Sequence, residues 1–125
     1  MDSLSVVKKL VKLFPKYLKK KLPRKVAFIE ISKKTSQELN RRYRKKNKPT
    51  NVLSFRYGSE YGEILVCPDV IKKEAKAQGN TYKYQMTWMA VHGMMHLGGI
   101  HHEGGGAAAK KFEKLEGRIL AKIFW

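Results

Sequence analysis

The sequence predicts a single α+β domain in which a small mixed β-sheet packs against helices. Three observations lead there. Alternating segments rich in β-formers fall before Pro68, and helical amphipathic patterns dominate after it. The 125 residues carry no internal repeat and no linker long enough to separate a second domain, so residues 1–125 form one unit.

Leu4, Val7, Leu10, Val11, Phe14 and Leu18 recur at helical spacing among lysines, predicting a basic amphipathic helix over 3–22, bent or broken near Pro15. Such a helix either covers the core of its own domain, the commoner arrangement, or lies on an anionic membrane surface. Lys25 to Ser32 (KVAFIEIS) alternates and predicts the first strand. Thr35 and Glu38 make a capping-box pattern that opens a helix through LNRRYRKK, closed before Pro49. Asn51 to Tyr57 and Gly62 to Cys67 (GEILVC) predict two more strands joined by a tight loop. Pro68 and Asp69 start a helix that ends near Gly79. A histidine-bearing helix over about 82–98 follows, and Ala107 to Phe124 predicts a last amphipathic helix after three glycines at 104–106.

Composition narrows the partners. With 27 Lys+Arg against 10 Asp+Glu the formal charge is +17, and a chain this basic is expected to meet a polyanion, RNA above all. Residues 1–50 hold 17 basic and 3 acidic side chains, net +14, which leaves +3 for the rest. The electropositive surface therefore belongs to the first half. The single cysteine, Cys67, rules out an internal disulfide, fits a reducing compartment, and reads as a buried packing residue. No apolar run approaches the ~18 residues of a membrane span, and lysines interrupt the first apolar stretch too often for a signal peptide. Tyr43, Phe55, Tyr57 and Tyr61 lie near the basic segment and could stack unpaired bases, although packing is the default role. Met86, Met89, Met94 and Met95 read as core filler.

All four histidines lie between positions 92 and 102. On a helix His92 and His96 are one turn apart, so both imidazoles can converge on one ion. Gly98 and Gly99 let the chain leave the helix, after which His102 can return as a third ligand. Three nitrogen ligands leave the fourth tetrahedral position of zinc open, the arrangement of catalytic sites, with one ion per chain. His101 is the weakest candidate of the four, because the neighbour of a ligand usually points elsewhere. The spacing of His92, His96, Gly99 and His102 is also that of the metzincin peptidases, but the glutamate that activates water in those enzymes is replaced here by Gly93. Glu103 follows the third histidine, and nothing in the sequence puts it beside the water.

Three stretches, LNRRYRKKNKPTNVLSF (39–55), GEILVCPDV (62–70) and VHGMMHLGGIHHE (91–103), resemble the YbeY-type endoribonucleases, or ribosomal RNA maturation factors. The resemblance covers about residues 25–125. It implies a single-domain fold related to metallopeptidases, a zinc-type metal, and cleavage of single-stranded RNA in ribosomal RNA processing and ribosome quality control, in the cytoplasm. His92, His96 and His102 match the family's metal ligands, and Arg44 matches its functional arginine. Thr50, Asn51 and Ser54 match the segment the family places beside the site. The basic neighbours Arg41, Lys45 and Lys46 are candidate RNA contacts. Two departures stand out: His101 occupies the position of the family's aspartate, and Ile100 that of its usual Tyr or Phe.

Zinc on neutral imidazoles brings bound water to a pKa of about 7, and Arg44 would neutralise charge building on the phosphate. Two other readings stay open on the sequence: an RNA- or ribosome-binding protein whose metal is structural, and a metallopeptidase with an unusual base. Oligomeric state is not legible in the chain.

Overall fold

The computed structural model describes the backbone of residues 3–100 and 105–124, with side chains over 8–100 and 105–124. Helices α1 (Ser3–Lys12) and α2 (Lys16–Lys19) replace one long helix, broken at Pro15, whose missing N–H and fixed φ of −60° suit the start of the second piece. Leu10, Phe14 and Leu18 are buried in the common core, so this basic segment covers its own domain.

Strands β1 (Lys25–Glu30), β2 (Val52–Tyr57) and β3 (Tyr61–Val66) form a mixed sheet in the order β1-β3-β2. The central strand β3 pairs parallel with β1, Phe28 beside Ile64, and antiparallel with β2, Leu53 beside Leu65. Between β1 and β2 runs α3 (Lys33–Arg44). Its cap is Ser32, whose side chain accepts the Thr35 N–H at 3.1 Å, not Thr35 as the sequence pattern predicted. Strand β1 ends at Glu30, which makes Ser32 the extended residue just before the helix and draws Thr35 into the first turn.

Two buried polar residues on α3 fix the segment that follows it. Ser36 accepts the Thr50 N–H at 2.8 Å and donates to the Thr50 carbonyl at 2.7 Å, while Asn40 donates to the Lys48 carbonyl at 2.8 Å. The loop from Lys45 to Asn51 is thereby tied back along the helix, and β2 starts from a set position.

Helix α4 (Pro68–Gln78) opens on Pro68 and ends at Gly79 in the left-handed conformation, φ 72°, as the sequence predicts. Buried Cys67 stands at its N-cap. Helix α5 (Tyr82–Leu97) starts at Thr81, whose hydroxyl accepts the Tyr84 N–H at 3.1 Å, and α6 (Gly106–Phe124) closes the described chain. Between them, α5 is apolar on nearly every side: Met89, Ala90, Val91, Met94, Met95 and Leu97 are all buried. A helix of that kind belongs inside a domain. It packs on β2 and β3 on one side and against α4 and α6 on the other. No helix among the described residues is long and apolar enough to cross a membrane.

Candidate functional site

His92 and His96 break the apolar run of α5, both half-buried, one turn apart. Their Nε2 atoms stand 3.3 Å apart. Two nitrogens each about 2.0–2.1 Å from a tetrahedral ion are separated by about 3.3–3.4 Å, so the pair has the spacing of two ligands of one cation. Among the described residues no group of three or more His, Cys, Asp or Glu side chains could hold a metal. The predicted third ligand, His102, and its neighbours His101 and Glu103 lie outside the described residues.

Behind His92 stands a carboxylate the sequence reading did not single out. Glu116, 7 % exposed on α6, meets His92 Nδ1 at 2.8 Å through Oε2. An ionised carboxylate only accepts, so Nδ1 carries a proton and donates, and in the neutral ring the lone pair sits on Nε2, the atom that faces His96. Phe112, one turn earlier on α6, packs its ring 5.0 Å from that of His92 and 5.3 Å from that of His96. Together they fix the ring plane as well as the tautomer, the usual service of outer residues to a metal-binding histidine. A signal was present in the sequence: Glu116 follows Phe112 by four and precedes Ile119 and Leu120 by three and four, which puts an acid on the buried stripe of α6.

A cleft of about 650 Å³ opens in front of the two histidines, walled by Tyr43, Arg44, Thr50, Asn51, Ser54 and Arg56 among others. The structure thus brings Arg44, Thr50, Asn51 and Ser54 to the same cleft as His92 and His96. Arg41, Lys45 and Lys46 are exposed at the end of α3 and do not line it. Ser54 donates its hydroxyl to the Gly93 carbonyl at 3.0 Å, and Asn51 donates its amide to Glu74 Oε1 at 2.9 Å, so both are engaged within the protein. Tyr43 and Phe55 pack edge to face at 5.0 Å on the same wall. Arg56 had no signal in the sequence; its Nη1 donates to the Lys21 and Leu97 carbonyls, both at 2.5 Å, and its Nε to the Gly58 carbonyl at 2.9 Å. A cation on the last carbonyls of α5 is well placed against the helix dipole.

Gly93 faces the sheet. A Cβ there would lie 2.8 Å from Ile64 Cγ2, 3.0 Å from Ser54 Oγ and 3.3 Å from Val52 Cγ2. No side chain fits, so the glutamate of the peptidase motif has no room at this position. Gly98 serves contact too, its hypothetical Cβ falling 2.5 Å from Leu18 Cδ1, whereas Gly99 supplies the predicted left-handed exit with φ 80°.

The family model described as Endoribonuclease YbeY matches residues 2–124. Among curated relatives, the Endoribonuclease YbeY of Aquifex aeolicus is 40 % identical over 93 residues, covering 70 % of this chain and 62 % of the relative. The protein of that name from Thermotoga neapolitana is 41 % identical over 88 residues, 69 % and 59 % of the two chains, and that from Bdellovibrio bacteriovorus 38 % over 109 residues, 79 % and 73 %. The chain therefore spans about three-fifths of the first two relatives it matches. A solution structure of a Thermotoga maritima protein superposes with a TM-score of 0.61 at 25 % identity, covering 98 % of this chain and 87 % of that one.

Proposed function

Because the chain belongs to the YbeY endoribonuclease family, we propose that it is a metal-dependent endoribonuclease that cleaves single-stranded RNA during ribosomal RNA maturation and ribosome quality control in the cytoplasm. The observation that carries this is the meeting of His92 and His96, Nε2 to Nε2 at 3.3 Å, in the cleft that Arg44 also lines.

His92, His96 and His102 would hold the ion, one per chain, and an all-imidazole donor set favours zinc. When bound, it supplies Lewis acidity toward water and toward a phosphoryl oxygen. The protein's own groups do the rest. Glu116 takes the Nδ1 proton of His92 in a hydrogen bond of 2.8 Å, which holds the ring so that Nε2 is the nitrogen turned toward the ion. Arg44 takes the phosphate, where a planar guanidinium can donate two hydrogen bonds and offset the charge that builds during cleavage. Ser36 and Asn40 keep the loop after Arg44 in register with β2, and Ser54 fastens β2 to α5. Arg41, Lys45, Lys46 and Lys48, all exposed, attract the RNA backbone toward the cleft mouth.

The test is cleavage of an end-labelled single-stranded RNA by zinc-loaded protein, beside His96→Ala and Arg44→Ala purified identically. Wild type is expected to cleave and both variants to lose on the order of 100-fold or more in rate. Equal cleavage by all three would trace the activity to a contaminant. RNA binding that persists from low to moderate salt without weakening would remove the electrostatic part of the proposal.

A further inference from the structure

His92 and Asn51 each line two clefts. Beyond the one that holds Arg44 lies a second, of about 520 Å³, on the α4 and α6 side of α5. Its electrostatics are reversed. Although the chain has only 10 acidic residues, Glu74, Glu113 and Glu116 all line this cleft, and no Lys or Arg among the described residues does. The aromatic groups Tyr84, Trp88 and Phe112 make up much of the remaining wall.

A phosphate that is welcome at Arg44 is repelled here, yet the two spaces share His92, so a strand whose phosphate lies in the basic cleft has its neighbouring groups at the mouth of the acidic one. We propose that this second cleft receives one unpaired base of the RNA, next to the phosphate bound in the first, and selects cytosine or guanine over uracil; the proposal rests on the RNA-cleaving function argued above. Carboxylates accept hydrogen bonds from the exocyclic amino group of cytosine or guanine, which uracil lacks. Glu74 and Glu116 each have one oxygen engaged, by Asn51 and His92, and Glu113 stands exposed at the rim, so acceptor capacity remains. Aromatic walls suit any base by stacking. The indole N–H of Trp88 is buried at this wall with no acceptor among the described residues, and a base carbonyl is the kind of group that would satisfy it. Cytosine and guanine carry both a carbonyl and an amino group.

The experiment uses the metal-free 125-residue chain and uncleavable 2′-O-methyl RNA hexamers, one all-uridine and one with a single central cytidine or guanosine, with binding followed by fluorescence anisotropy. The cytidine or guanosine hexamer is expected to bind about tenfold tighter and to quench Trp88 emission in a Trp125→Phe background. Glu113→Ala and Trp88→Phe should each bring the two hexamers close to equal affinity while binding itself persists. Equal affinity for both hexamers in the wild type overturns the proposal, and so does a Glu113→Ala variant that binds every hexamer more tightly with the same preference, since the acids then only repel RNA. Binding of neither hexamer at low salt removes the RNA-cleaving function itself, and the base pocket with it.

Discussion

One turn of α5 has two sides built on opposite rules. Toward the sheet, Gly93 meets Ile64, Ser54 and Val52 so closely that not even a methyl group fits. Toward α6, His92 keeps a full imidazole, half-buried, held by the Glu116 carboxylate and the Phe112 ring. The first side sets position by exclusion, the second by a directed hydrogen bond. The difference explains how a helix in the middle of the core can carry a chemical site: the tight side fixes the height of the helix over β2 and β3, and the polar side fixes only which way one ring faces. Damage to the two sides should therefore be read by different measurements.

The largest effect is expected on the tight side. In Gly93→Ala the new Cβ falls 2.8 Å from Ile64 Cγ2, a methyl on a β-branched side chain that has little rotamer freedom to yield. Overpacking of this kind costs about 1–3 kcal/mol, offset by up to about 1 kcal/mol from the better helix propensity of alanine. Gly93→Glu, which would rebuild the peptidase motif, adds a buried charge and should cost on the order of 4–5 kcal/mol, a large share of the roughly 5–15 kcal/mol that holds a domain together. Urea unfolding reads both. A stable Gly93→Glu protein would mean that the helix can lift off the sheet, and the contrast drawn above would be lost.

On the other side the expected signature is affinity for metal at nearly unchanged stability. Glu116→Gln keeps the shape and can still accept a hydrogen bond at His92 Nδ1, but it removes the charge that raises the basicity of the ring. Changes of this kind commonly weaken metal affinity about 10–100-fold. Competition against a chromophoric zinc chelator measures it, and the urea midpoint of the metal-free protein should move little. Unchanged affinity would reduce Glu116 to a packing partner of α6.

The contrast also separates what the sequence revealed from what it hid. Periodicity and punctuation located nearly every element: Pro15, Pro68 and Gly79 stand at the breaks they predicted, and Leu10, Phe14 and Leu18 are buried as a helical stripe should be. Local signals failed where two residues could do one job, as with Ser32 capping α3 in place of Thr35. The pair His92 and His96 was legible because their convergence follows from helix geometry alone. Glu116 lies 24 positions away and reaches His92 only through the packing of α6 on α5. Its place on an apolar stripe marked it as unusual without saying what it touches. Gly93 was read only as a missing glutamate, since steric exclusion by Ile64 and Val52 depends on how closely the helix approaches the sheet, a distance no motif encodes.

The smallest effect tests the link across the tight side. Ser54 donates to the Gly93 carbonyl at 3.0 Å and also lines the cleft that holds Arg44, so it could serve the fold, the RNA or both. As an anchor alone, Ser54→Ala should cost about 1 kcal/mol of stability and leave RNA affinity within about twofold, because the hydroxyl proton is already engaged. Loss of the hydroxyl also removes one of the atoms that a methyl at position 93 would strike. The double variant Gly93→Ala with Ser54→Ala should then lose less than the sum of the single losses, by about 0.5 kcal/mol or more. Strict additivity would place the whole obstruction at Ile64 and Val52. A selective fall in RNA affinity in Ser54→Ala, at full stability, would instead transfer Ser54 from the scaffold of the site to its substrate contacts.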